Sequence, residues 1–186
     1  TESVNTLFKV KNKVVGYNTD QIGFAQTIQE LFSDKDSMMP RPLEEKNIFV
    51  LGAGGVTPSI ICALEDSGAK IFLSNRTKKK AEELKKRYTE IEILDWGKRP
   101  LVCDIVINTT SIGLKDNEKI KIDFGDCNGD KNKLFYDLIY NPKETNFLKE
   151  ARLRGNNTMN GQRMFLNQAI HAFNLWTNIT PKIDDE

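Results

Sequence analysis

Cysteine, histidine and net charge are all scarce in this 186-residue chain. Its three cysteines, Cys62, Cys103 and Cys127, are odd in number and lack C-x-x-C spacing, which argues against a disulfide framework or a thiolate zinc site. Reduced, mostly buried thiols are expected instead. The single His171 has no carboxylate or cysteine at ligand spacing, so it reads as structural or surface, and no metal site is expected. A formal charge of +1 gives no global pull toward nucleic acid or an anionic membrane; any anion site must be local. No apolar run approaches the ~20 residues that span a bilayer, and the polar start lacks a signal-peptide core. A cytoplasmic protein is expected, without internal repeats or low-complexity segments.

What is present is ordinary globular material, 39% hydrophobic and 28% charged, enough for about one domain with an appendage. "SVNTLFKV", a polar Lys11-Asn12-Lys13 and "VVGYN" read as a hairpin. A hairpin needs a partner or a cover, so residues upstream are expected. In "GFAQTIQELF", Phe24, Ile28, Leu31 and Phe32 form the stripe of an amphipathic helix, with Asp20 placed to cap it. Residues 1–32 thus read as the hairpin and helix of a second domain. Residues 33–46, "SDKDSMMPRPLEEK", lose periodicity, contain two prolines and read as a linker.

From Asn47 the pattern alternates. Apolar strands "NIFVL", "KIFLS", "IEIL", "DIVINT" and "KLFYDLIY" are interspersed with helical segments, which predicts βαβ units and a Rossmann-like, doubly wound parallel α/β sheet over 47–160. "ETNFLKEARLRG" predicts a helix ending at Gly155, "NTM" a short strand, and "QRMFLNQAIHAFNLW", within 161–186, a long helix packed through Phe165, Ala169, Ala172, Phe173 and Trp176.

Between the first strand and helix of this region stands "VLGAGGVTPSI". Glycines without Cβ let backbone N–H groups approach a pyrophosphate at a helix N-terminus, whose dipole favours negative charge. Gly52, Gly54 and Gly55 therefore point to a dinucleotide, although Thr57 stands where a third glycine is usual; Pro58 suits the first helical turn. At the end of the second strand an acid would meet a ribose 2′-hydroxyl, whereas arginine accommodates a 2′-phosphate. Asn75, Arg76 and Thr77 supply a guanidinium and short donors without a carboxylate, the chemistry that selects NADP. Arg76 and Lys80 are expected at the phosphate. Lys78, Lys79, Lys85 and Lys86 are expected at the surface, where the lysine run could also be a solvated helix face.

These segments, with "SVNTL", "GYNTDQIGF", "NTTSIG", "YDLIYNPKETNFL" and "GQRMFLNQAIHAFNLW" in order, resemble the shikimate dehydrogenase family along nearly the whole chain. An N-terminal substrate domain, about a third of a typical member, has no counterpart here. The resemblance implies NADPH-dependent, metal-free, reversible reduction of 3-dehydroshikimate to shikimate, part of chorismate and aromatic amino acid biosynthesis. It implies that Asp20 is the visible half of a lysine–aspartate dyad, no lysine of this chain occupying the other position, so that the chain by itself is the inactive cofactor-binding part. It places Asn5, Asp20, Tyr140 and Gln168 at the substrate, and Gly52, Ala53, Gly54, Gly55, Val56, Asn75, Arg76, Thr77, Lys80, Thr109, Leu138 and Gly161 at the cofactor, the last two near the nicotinamide.

The residues by themselves leave blander roles open: a helix cap for Asp20, a turn residue for Asn5, a strand end for Leu138, a helix start for Gly161, an edge position for Gln168. The sequence departs from the family pattern at Val56-Thr57-Pro58 and at Arg163, which replaces a glycine in "GQRMF". Two other functions stay open, a nucleotide-binding or redox-sensing module without catalysis and a related quinate/shikimate dehydrogenase using NAD. Nothing in the sequence sets the oligomeric state. The expected ligands are small molecules, with neither nucleic acid nor membrane as partner.

Overall fold

The computed structural model describes residues 3–32, 41–122, 124 and 132–182. Cys127 and residues 33–40 of the predicted linker lie outside them. Within the rest of that segment Leu43 is fully buried, and its N–H donates to the Ser67 carbonyl at 3.0 Å. Residues 41–46 are therefore packed onto the body of the protein, anchored by one apolar side chain that prolines and lost periodicity concealed.

The predicted hairpin forms from β1 (Thr6–Val10) and β2 (Lys13–Tyr17), paired antiparallel around a turn in which Lys11 has a φ of 53°. Leu7, Val14 and Tyr17 are exposed. A two-stranded ribbon is marginal alone; here the indole N–H of Trp176 donates to the Leu7 carbonyl at 2.9 Å and ties it to the C-terminal helix.

Two helices carry the ribbon's connection to the sheet, α1 (Asp20–Phe32) and the last helix, Gln162–Thr177. They cross at Gly23, where an added Cβ would lie 2.7 Å from Gln168, so the absence of a side chain permits the approach. On α1, Phe24 and Ile28 are buried and Phe32 packs partly, whereas Leu31 is 41% exposed. The last helix departs further from expectation. Of its predicted stripe only Ala172 is buried, while Phe165, Phe173 and Trp176 are exposed and Met164 and Asn167 lie inside. The packed face is chosen by polar partners on α1: Asn167 donates to the Thr27 hydroxyl at 3.1 Å, and the Arg163 guanidinium meets Glu30 at 2.7 Å. Hydropathy periodicity does not register such a face.

The rest is a parallel sheet of six strands in the order β5-β4-β3-β6-β7-β8. β3 spans Asn47–Leu51, β4 Lys70–Ser74, β5 Ile91–Leu94, β6 Ile105–Asn108, β7 Leu134–Asp137 and β8 Asn157–Met159. Crossover helices are α2 (Thr57–Asp66), α3 (Lys78–Lys85) and α4 (Asn146–Leu153); the last helix is α5. Strand alternation divides the core in two. Ile48 and Val50 face a cluster with Phe24, Ile60 and Leu64, while Phe49 and Leu51 face Val106, Phe135 and Phe147 on the other side. Apolar groups on both faces suit parallel strands covered on both sides. The order reverses between β3 and β6, which puts the switch point, where such sheets bind ligands, at Gly52 and Thr109.

Candidate functional site

Beyond β3 the backbone turns at Gly52 with φ +112°, a conformation disfavoured by side chains, and an added Cβ there would stand 2.6 Å from the Thr109 hydroxyl. The turn is held by a short relay. The Gly54 N–H donates to the Thr57 hydroxyl at 3.0 Å, which lies 2.9 Å from the Thr109 hydroxyl, and Thr109 donates to the Leu51 carbonyl at 2.9 Å. Since Thr109 spends its single proton on Leu51, Thr57 is the donor to Thr109. Thr57, the residue that spoils the three-glycine string, is thus the keystone of the turn.

Around this turn opens a cleft of about 330 Å³ that brings together Gly52, Ala53 and Gly54 from the β3 end, Asn75, Arg76, Thr77 and Lys80 from the β4 end, and Thr109 from the β6 end. Thr110 and Ser111, not singled out in the sequence, complete it; their signal was adjacency to Thr109 in "NTTSIG". No atom lies within 4 Å of a Cβ built on Gly54 or Gly55, so the protein itself does not require glycine there, but a closely approaching ligand would. Among the described residues the N–H groups of Gly55 and Val56 have no protein acceptor, and they stand at the start of α2, where an anion is favoured. The Val56 side chain packs against the core.

The Asn75 amide is occupied by the protein at both ends, accepting from the Ala53 N–H at 3.1 Å and donating to the Thr77 carbonyl at 2.8 Å. It shapes the loop that presents Arg76, which is exposed, as is Lys80. Lys78 is engaged elsewhere, paired with Asp95 at 2.7 Å. These features fit a dinucleotide phosphate: open space over glycines, unpaired N–H groups at a helix start, and two exposed cations with no acid among the residues of the cleft.

A second cluster gathers where the ribbon meets α1 and α5. The Asn5 side-chain oxygen accepts from the Thr19 N–H at 2.9 Å and the Thr6 hydroxyl at 3.1 Å, which turns its NH₂ toward Asp20 Oδ1 at 2.9 Å. Buried Thr19 also donates its hydroxyl to Gln168 Oε1 at 3.0 Å, and Gln168 Nε2 donates to the Phe165 carbonyl at 3.0 Å. The Phe165 ring stacks on Tyr140, centroids 4.7 Å apart and planes 25° from parallel. Asn5, Asp20, Gln168 and Tyr140, all expected at the substrate, are therefore joined through Thr19 and Phe165. Burial pushes the Asp20 pKa up, and the bond from Asn5 draws it partly back.

Asp20 does not serve as the helix cap. Asn18 does: its side-chain oxygen accepts from the Asp20 N–H at 3.0 Å and the Gln21 N–H at 3.4 Å, and also from the Ser59 hydroxyl of α2 at 3.2 Å. Sequence reasoning passed over Asn18 and Thr19, though Asn is a preferred cap. Leu138 and Gly161 meet each other and are not among the residues lining this cleft, the Gly161 N–H donating to the Ile139 carbonyl at 3.2 Å and an added Cβ colliding with the Leu138 carbonyl. Arg163, which takes a glycine's place in the family pattern, pairs with Glu30. His171 bonds to Gln26 at 3.1 Å. Among the described residues no metal-binding cluster occurs, neither Cys62 nor Cys103 is in a disulfide, and no helix is long and apolar enough to cross a membrane.

The shikimate / quinate 5-dehydrogenase family model matches residues 35–144. The chain is 46% identical over 187 residues to a shikimate dehydrogenase (NADP(+)) of Pelagibacter ubique, covering 100% of this chain and 66% of that protein. The crystal structure of shikimate dehydrogenase from Aquifex aeolicus is similar with a TM-score of 0.80 and 36% identity, over 97% of this chain and 63% of that one. A shikimate dehydrogenase in complex with NADP+ is similar with a TM-score of 0.79 and 31% identity, over the same shares. The chain spans about two thirds of the length of these relatives. Matched by the family model over more than half its length and by relatives from end to end, the chain belongs to the shikimate / quinate 5-dehydrogenase family.

Proposed function

We propose that this chain is the NADP-binding part of a cytoplasmic shikimate dehydrogenase, which reduces 3-dehydroshikimate to shikimate reversibly and without a metal. The observation that carries the reading is the β4 end of the cleft: Arg76 and Lys80 stand exposed beside a glycine turn, and no carboxylate lines the space where a ribose would lie. An acid there would repel a 2′-phosphate; a guanidinium can bond it in a bidentate manner.

The Gly55 and Val56 N–H groups would hold the pyrophosphate, with Arg76 and Lys80 on the 2′-phosphate. NADPH supplies a hydride when bound. The chain's own residues do the rest. Leu138 and Gly161 would bound the nicotinamide. Asn5, Gln168 and Tyr140 hold substrate hydroxyl and carboxyl groups, and Asp20, with Oδ1 engaged by Asn5, keeps Oδ2 for the reacting hydroxyl. Its raised pKa makes it the better proton acceptor. The family's partner lysine has no counterpart at its motif position here, so the 186 residues bind NADP without turning shikimate over.

Titration of the chain with NADP and with NAD tests the cofactor assignment, and an assay with shikimate and quinate tests the rest. NADP binding tighter than NAD with no turnover is expected. Preference for NAD, or no nucleotide binding at all, refutes the reading.

A further inference from the structure

Asp137 is a carboxylate with no exposed surface that the proposed chemistry leaves unused. It ends β7 and receives three hydrogen bonds. Oδ1 accepts from Asn108 Nδ2 at 3.0 Å and from the Ile139 N–H at 3.0 Å, and Oδ2 accepts from the Thr145 hydroxyl, which caps α4, at 2.6 Å. Asn108, equally buried at the end of β6, shapes the neighbouring loop. Its Oδ1 accepts from the Thr110 N–H at 3.0 Å and the Thr110 hydroxyl at 2.7 Å, and its Nδ2 also donates to the Ile112 carbonyl at 3.2 Å. The Ile112 N–H in turn donates to the Thr110 hydroxyl at 3.1 Å.

Each of the two loops is therefore pinned to a buried side chain, and the two side chains are bonded to each other. One loop carries Thr109, Thr110 and Ser111 of the nucleotide cleft; the other carries Leu138 and Tyr140. We propose that the Asn108–Asp137 pair is a positioning device that fixes the nucleotide loop and the substrate loop relative to each other. Any buried acceptor could hold the Asn108 NH₂. A carboxylate does so while also holding the start of the second loop and the cap of α4, because it alone offers acceptors on both sides without a donor of its own. The significance for function, though not the coupling itself, rests on the NADP reading above.

Hydrogen exchange of the unliganded chain reads the coupling directly. In Asp137→Ala the acceptors of the Thr110 and Ile112 N–H groups remain intact, so faster exchange there can only be transmitted. We expect about a tenfold or greater rise at both amides, with Leu73 and Ala63 of β4 and α2 unchanged. Asp137→Asn keeps an oxygen for Asn108 and Ile139 and restores parent rates. Unchanged exchange at Thr110 and Ile112, or a uniform rise throughout the chain, overturns the proposal. Should Asp137→Ala not fold, Asn108→Ala asks the converse at Ile139, whose acceptor it leaves in place; parent exchange there overturns it equally. NADP titration supplies the consequence, a loss of about fivefold or more in Asp137→Ala and little in Asp137→Asn. A parent chain that fails to bind NADP defeats the functional reading while the exchange data still decide the coupling.

Discussion

The NH₂ of Asn5 donates to the carboxylate of Asp20 at 2.9 Å, at the open end of the ribbon that separates them in sequence. That bond is possible because Asn18, two residues earlier, has taken over the cap of α1. The helix cap that an aspartate could supply at this point thus falls to Asn18, which leaves the Asp20 carboxylate available for the substrate role proposed above.

Stability measurements separate them. Asn18→Ala removes the cap and its bond to Ser59, and is expected to cost about 1 kcal/mol, up to ~2. Asp20→Asn keeps helix geometry and should leave the melting temperature close to that of the parent. The opposite ranking would return the cap to Asp20. In a form of the enzyme that turns over, Asp20→Asn should lower kcat by ~10²–10⁴-fold, more than it raises KM.

Arg76→Ala tests the cofactor. Its exposed guanidinium faces the cleft without a competing acid, so its loss should weaken NADP binding by about 1.5–3 kcal/mol, the scale of a charged hydrogen bond, and leave NAD binding nearly unchanged. Equal loss for both nucleotides, measured by calorimetry, would place Arg76 outside the phosphate site.

The sheet was readable because its central strands are apolar runs buried on both faces, as in "NIFVL" and "DIVIN". The glycine turn and Arg76 were readable because their chemistry is local. What stayed hidden depends on contacts between distant segments. Thr19 is fully buried, yet a threonine before a helix says nothing of the Gln168 that meets it 149 residues later. The face of α5 was misjudged because Asn167 and Arg163 find polar partners on α1, and a pattern of hydropathy counts such positions as outward. Nothing in the sequence singled out Asp137; only the pairing of β6 with β7 reveals that Asn108 stands opposite it.

Thr57→Ala should cost more than its size suggests. It strips the exposed Gly54 N–H of its acceptor and buried Thr109 of its donor, and an unsatisfied buried group costs about 1–3 kcal/mol. Thermal unfolding of this variant and of Thr57→Ser, which keeps the hydroxyl, distinguishes loss of the relay from loss of a methyl group. Thr57→Ser should recover most of the stability; equal losses would show that packing alone matters.

Gly161→Ala should be severe. The methyl group would overlap the Leu138 carbonyl, a backbone atom that no rotamer change can remove, and overpacking of this kind costs about 1–3 kcal/mol. Chemical denaturation should show the loss. A variant as stable as the parent would mean that the start of α5 can slide away from β7.

Asp137 gives the chain a pH dependence of unusual sign. Burial pushes its pKa up to about 6, against the bonds from Thr145, Ile139 and Asn108 that favour the ionised form, and no charged side chain contributes. In the unfolded chain the group has the ordinary aspartate value of about 4. Between these two values the folded state therefore holds more protons than the unfolded state, so stability falls as pH rises. The contribution is fully present below pH ~4 and is lost by pH ~6; a difference of about two units corresponds to roughly 3 kcal/mol. Ordinary paired carboxylates act in the opposite sense, which makes the parent profile alone uninformative. Asp137→Asn cannot titrate, and subtracting its profile from that of the parent isolates the effect. Parent stability relative to Asp137→Asn should decline from pH 4 to pH 6 and then level off. A difference that rises over that range would mean that the three hydrogen bonds outweigh burial and hold Asp137 ionised throughout.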